Sequence, residues 1–187
     1  MKKVQLIFVF TIPIYLTFFE YGLTRTFTWS NLVERNKIYF EKFRDTPFEG
    51  KIIIYWGNGH LKEKGNLEKG KKVGRWEYYY NNGKPKQVEN YKLGVLHGVR
   101  EEYSSGGQLF IRSTFSNGNL EGPWLYIDPY DGWVYTKGFY KKGKKNGNWV
   151  YYTILGEVEW TEIWNSGAKF LTQGSLRIHK LTIEISA

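Results

Sequence analysis

The chain has no cysteine in its 187 residues. That excludes disulfides, thiolate metal sites, a cysteine nucleophile and a lipidated N-terminal cysteine. Histidine is scarce: His60, His97 and His179 share no metal-ligand spacing, and no thiol is present to complete a zinc set. Proline is scarce as well, at 5 residues against 21 glycines, while aromatics reach 19%. Many β formers and turn formers with few helix formers point to an all-β chain with tight turns.

Catalytic pairs are also missing. Glu101 and Glu102 are adjacent and point to opposite faces of a strand; Glu157 and Glu159 share a face but read as solvated strand charges, not as the cleft carboxylates about 5–10 Å apart of a glycosidase. The glycines fall at turns rather than between a strand and a helix, so no phosphate-cradling loop is present. These absences argue for a non-enzymatic chain with no cofactor and no small-molecule substrate. The net charge of +9 fits an anionic neighbour such as lipid headgroups, acidic polysaccharide or an acidic protein.

Residues 1–23 read as a signal anchor or a signal peptide. Lys2 and Lys3 precede sixteen uncharged residues, 4–19, longer than a usual signal-peptide core of about 7–15 and just short of the about 17–25 of a spanning helix. Both readings place the remainder beyond the cytoplasmic side, anchored in the membrane through residues 4–23 or released after cleavage. Export also makes nucleic acid an unfavoured partner. Residues 24–47 read as a linker and N-terminal cap. One reading is a helix over residues 32–43, capped by Ser30 or Asn31. The preferred one is a degenerate half-repeat strand over residues 36–49 that covers the first sheet edge.

Three glycine columns set the organisation of residues 48–168: Gly50, Gly74, Gly98, Gly122, Gly147; Gly59, Gly83, Gly107, Gly132, Gly156; and Gly70, Gly94, Gly118, Gly143, Gly167. Each column steps by 24 residues except for one step of 25, whose extra residue lies in Asp128-Pro129-Tyr130-Asp131. In-phase repetition of this kind is the signature of a repeat architecture. Each copy reads as a β-hairpin, with type I′ turns expected at Asn58-Gly59, Asn82-Gly83 and Asp131-Gly132. The expected fold is all-β: an elongated antiparallel sheet of about five stacked 24-residue β-hairpin repeats, preceded by an N-terminal hydrophobic helix. Residues 169–187 form a C-terminal capping strand, alternating over Leu181, Ile183 and Ile185.

Alternation along strands assigns four columns to the buried face. They are Ile52, Trp76, Arg100, Trp124, Trp149; Ile54, Tyr78, Glu102, Tyr126, Tyr151; Leu61, Pro85, Leu109, Val134, Val158; and Leu67, Tyr91, Phe115, Tyr140, Trp164. Arg100 and Glu102 break the aromatic pattern of the third repeat, and the sequence offers no physical account of that break. Tyr55, Tyr79, Tyr103, Ile127 and Tyr152 fall on the opposite face, joined by Phe110, Trp133 and Tyr135 if alternation holds in the second strand.

These features resemble the MORN repeat. The resemblance is carried by Phe48-Glu49-Gly50, by the Gly-x-Trp-x-x-Tyr segments at 74–79 and 147–152, by the Asn-Gly turns and by the Lys-Gly-Lys-Lys runs. It is nearer still to the bacterial variant repeat of YwqK-type antitoxins, and it spans about residues 48–167. It implies stacked antiparallel hairpins and a role in protein or membrane contact rather than catalysis. The leading expectation is a membrane-anchored repeat scaffold that contacts a protein or cell-envelope component. Alternatives are a glycan- or cell-wall-binding module and an antitoxin-like partner binder. The candidate binding surface is Tyr55, Tyr79, Tyr103, Tyr152, Phe110, Trp133 and Tyr135. The candidate anion-contact edge is Lys69, Lys71, Lys72, Lys141, Lys142, Lys144 and Lys145.

Overall fold

A computed structural model describes residues 27–174. The hydrophobic helix expected in residues 1–23 and the alternating end of the capping strand, residues 176–186, lie outside the described residues. A 3-10 turn (Trp29–Asn31) leads into a small hairpin of β1 (Leu32–Arg35) and β2 (Ile38–Glu41). The helix considered over residues 32–43 is therefore a pair of strands. The strands described after it form one 12-stranded antiparallel sheet. Its hairpins are β3 (Gly50–Tyr55) with β4 (Leu61–Glu68), β5 (Lys71–Tyr79) with β6 (Pro85–Lys92), β8 (Gly98–Tyr103) with β9 (Leu109–Ser116), β10 (Asn119–Ile127) with β11 (Val134–Lys141), and β12 (Lys144–Tyr152) with β13 (Val158–Asn165). A short β7 (Val95–Leu96) precedes β8 and pairs with β6, and β14 (Ala168–Gly174) pairs with β13.

The three glycine columns do three different jobs. The second column closes the hairpin tips: Gly59 N–H donates to Trp56 O at 2.9 Å, and Gly83, Gly107 and Gly156 repeat this bond. Only the glycine has positive φ there, so these are not the type I′ turns expected from Asn58-Gly59, Asn82-Gly83 and Asp131-Gly132. They match a type I turn followed by a left-handed residue. Type I′ geometry occurs instead at the third column. Lys69-Gly70, Leu93-Gly94, Asn117-Gly118, Lys142-Gly143 and Ser166-Gly167 each carry two consecutive positive φ angles. Each of these glycines donates its N–H to a carbonyl one repeat earlier, at Phe48, Lys72, Leu96, Leu120 or Lys145. The turn therefore bonds sideways to its neighbour, which locks successive repeats together. The first column lies inside strands. Gly74, Gly98, Gly122 and Gly147 have positive φ and mark bulges where the register slips by two residues, as between Lys64↔Glu77 and Asn66↔Val73.

A second bulge, of one residue, recurs in every hairpin, for example between Ile54↔Glu63 and Tyr55↔Leu61. An odd insertion reverses the side-chain phase beyond it. This corrects one buried column. Leu61, Pro85, Leu109, Val134 and Val158 pair directly with Tyr55, Tyr79, Tyr103, Ile127 and Tyr152 and share their face. The other three columns do share the opposite face, where Ile52, Trp76 and Trp149 are almost fully buried.

What buries them is partly glycine. A Cβ at Gly65 would lie 2.1 Å from the Trp76 ring, and one at Gly138 would lie 2.3 Å from the Trp149 ring. Each indole therefore lies flat on the neighbouring strand where a side chain is missing, a close approach only glycine permits. The third repeat meets a different neighbour. Its strand faces Glu89, which is buried, so Arg100 stands where an indole would and places Nε 3.7 Å from the Glu89 carboxylate. Tyr91 and Gln87 also donate to Glu89. The break at Arg100 and Glu102 is thus a polar exchange for a stacked ring.

The N-terminal hairpin covers the first end of this face. Leu32 and Phe48 form a buried cluster with Ile52, Leu67 and Trp76, and Trp29 stacks on Trp76 at 5.7 Å. Trp29 Nε1 also donates to Glu63. The edge of β3 is met by the backbone of Phe27 in a parallel bridge, rather than by a strand over residues 36–49. Phe48 nevertheless takes the repeat position of Lys72, because its carbonyl accepts from Gly70. At the other end Trp124 plays the part of Trp29, with its ring 5.2 Å from that of Trp149.

Candidate functional site

The tyrosine column forms a ladder tied to carboxylates on its own strands. Tyr79 donates to Glu77 and Tyr103 donates to Glu101. Lys64 and Arg75 pair with Glu77, and Arg112 with Glu101. Burial opposes the charge on Glu77, but hydrogen bonds from Tyr79, Arg75 and Lys64 outweigh it and hold the carboxyl at about 2. Burial, then the bond to Glu77, raises Tyr79. Lys137 lies over the Tyr152 ring, and Tyr55 is the most exposed of the column. The ladder is largely saturated by its own partners.

Phe110 and Tyr135 do not join it. Both occupy the one-residue bulge, and the Tyr135 ring meets Tyr126 on the tryptophan face at 6.1 Å. Trp133 precedes β11, where its carbonyl accepts from Asp128 at the hairpin tip.

The lysine edge also divides. Lys72 points over the tryptophan face, with Nζ 4.1 Å from the Trp76 ring and 2.8 Å from the Tyr78 hydroxyl. Burial lowers its pKa despite the nearby Glu63 and Glu89. Lys145 repeats this over Trp149, with Nζ 3.1 Å from the Tyr151 hydroxyl. Both act as cationic covers on aromatic rings. Lys69 and Lys142 occupy the first position of type I′ turns, and Lys141 and Lys144 flank the latter turn at the solvent-exposed edge.

A third surface lies along the hairpin tips, opposite the lysine edge. In the first three repeats it is a polar ladder. Asn58 Nδ2 donates to Asn81 O at 2.7 Å, and Asn82 Nδ2 donates to Ser105 O at 2.9 Å. Trp56 Nε1 and the Tyr80 hydroxyl reach carbonyls of the next repeat in the same way. In the last two repeats the equivalent tips are apolar and exposed: Tyr130 at 91%, Leu155 at 71%, Ile154 at 68% and Trp133 at 43%, with Val134, Tyr135 and Val158 beside them. Adjacent exposed groups of this kind mark contact surfaces. Of this patch, only Trp133 and Tyr135 were among the sequence candidates. Tyr130, Ile154 and Leu155 carried one legible signal: apolar residues at turn positions where the earlier repeats have Asn, Gly and Ser.

Among the described residues no group of His, Asp and Glu side chains forms a metal site, and no helix is long and apolar enough to cross a membrane. No family model matches the chain, and no curated protein matches it. Solved structures similar to it include a chain in the crystal structure of a GtfA/B complex, 16% identical with a TM-score of 0.24; the match covers 57% of this chain and 19% of that one. The match takes in a small part of that protein, and a likeness at this TM-score shows no shared fold.

Proposed function

We propose that the chain is a MORN-like, non-enzymatic repeat scaffold, anchored at the membrane through residues 4–23, that holds a protein partner through the hairpin tips of its last two repeats. One observation carries this reading: exposed Tyr130, Trp133, Ile154 and Leu155 replace the polar tip ladder of the earlier repeats. A solvated sheet edge has no need of that apolar surface, and a partner would bury it. The paired carboxylates and tyrosines of the opposite face contribute to the sheet's own stability.

The test is native electrophoresis of the tagged full chain released from its cells in mild detergent. The expected result is a complex larger than the chain alone. That complex is lost in Ile154→Ser/Leu155→Ser and kept in Tyr79→Ala/Tyr103→Ala. Loss on the tyrosine substitutions alone would move the contact to the other face and overturn the proposal. A reporter fused after residue 24 tests the topology, and cytoplasmic activity of that reporter would contradict the anchored, exported arrangement.

A further inference from the structure

The hairpin-tip edge changes sign along its length. In the first two repeats it carries Lys62, Lys84 and Lys86, all exposed. In the last two it carries Asp131, Glu157 and Glu159, also exposed, and among the described residues none of these three acids makes a salt bridge. They flank the apolar patch: Asp131 follows Tyr130, and Glu157 follows the loop of Ile154 and Leu155. Lys137, the nearest lysine of the same hairpin in sequence, lies over the Tyr152 ring on the face shared by Val134 and Val158, and among the described residues it forms no ion pair with these acids. An acidic cluster in a chain of net charge +9 is a local reversal of the molecule's field.

We infer that this patch takes a basic, apolar segment of a partner protein, one that presents leucine or aromatic side chains flanked by lysine or arginine. The inference rests on the contact role proposed for the same edge. The apolar tips bury the partner's anchor side chains, and the acids pair with its cations at the rim. The basic first half of the edge repels the same segment and so fixes where along the edge it docks. An anionic bilayer is the wrong occupant on charge grounds, since Asp131, Glu157 and Glu159 would face like charge.

The probe is the peptide acetyl-Lys-Leu-Trp-Leu-Lys-amide, titrated into isotope-labelled full chain and followed by NMR at the indole N–H signals. The expected result is a saturable shift at Trp133, with Trp76 unmoved beneath its own cover. Affinity should fall roughly fivefold or more in Asp131→Asn/Glu157→Gln, an effect of the size expected for exposed charge pairs acting together. Equal binding of the counterpart peptide with glutamate in place of lysine would overturn the inference, and so would no saturable shift. Two further results would overturn it: a Trp133 shift with phosphatidylglycerol vesicles but not with the peptide, or one that depends on protein concentration alone, which would mean self-association. If the peptide fails while the native complex is still lost in Ile154→Ser/Leu155→Ser, the contact role stands and only the basic chemistry falls.

Discussion

At the scale of single residues, the sheet is specified by what lies beneath each ring. Gly65 and Gly138 leave room for Trp76 and Trp149, whereas Glu89 calls for Arg100. This makes Glu89 and Arg100 one unit. Arg100→Met should cost ~1–3 kcal/mol in chemical denaturation, because a buried carboxylate loses a cation. Glu89→Gly with Arg100→Trp rebuilds the arrangement of the other repeats. The two changes together should be less destabilising than the sum of the singles, with a coupling of ~0.5–3 kcal/mol. Simple additivity would contradict the pairing. Glu77 gives a pH signature. Its folded pKa of about 2 lies below the 4.5 of an unperturbed glutamate, so its contribution to stability is complete above that ordinary value and is lost as pH falls toward 2. Thermal melts between pH 5 and pH 2 should show a shallower loss of stability in Glu77→Gln than in the parent chain.

At the scale of elements, the repeat turns on positive-φ positions that are not all glycine. Leu93 has φ 52 at the first position of a type I′ turn, a conformation that disfavours a bulky side chain. Leu93→Asn should therefore raise stability by ~0.5–1 kcal/mol, read as a higher denaturation midpoint at unchanged slope; a fall would contradict the turn assignment. The period, the number of hairpins and the burial of Ile52, Trp76 and Trp149 were all legible in the glycine columns and the alternation. The bulges were not. A one-residue bulge leaves no composition mark, yet it moved Leu61 and its column to the other face and took Tyr135 to Tyr126. The type I′ turns were hidden for a related reason. Asn-Gly is the familiar signal, whereas here Lys-Gly and Leu-Gly adopt the geometry because each turn is tied to the strand before it.

At the scale of the molecule, a thin sheet protects its tryptophan face in two ways. The first end borrows Trp29 from the 3-10 turn and Leu32 from the N-terminal hairpin, because its column offers only Ile52. The far end supplies its own cover from Trp124 and Lys145. The buried indoles of both halves are therefore covered, although Phe170 and Leu171 on the last strand are exposed, and the two halves differ in the chemistry of the hairpin-tip edge. The candidate contact surface was only partly legible: Trp133 and Tyr135 were chosen for their aromaticity, while Ile154 and Leu155 showed only as apolar residues at turn positions, and their exposure came from the structure. The measurement that bears most directly on this account is photo-crosslinking in intact cells from a reactive residue placed at Leu155, compared with one placed at Asn82 on the polar half of the same edge. The account predicts a discrete protein adduct from position 155 and none from position 82. Adducts from 82 alone, or equally from both, would contradict it.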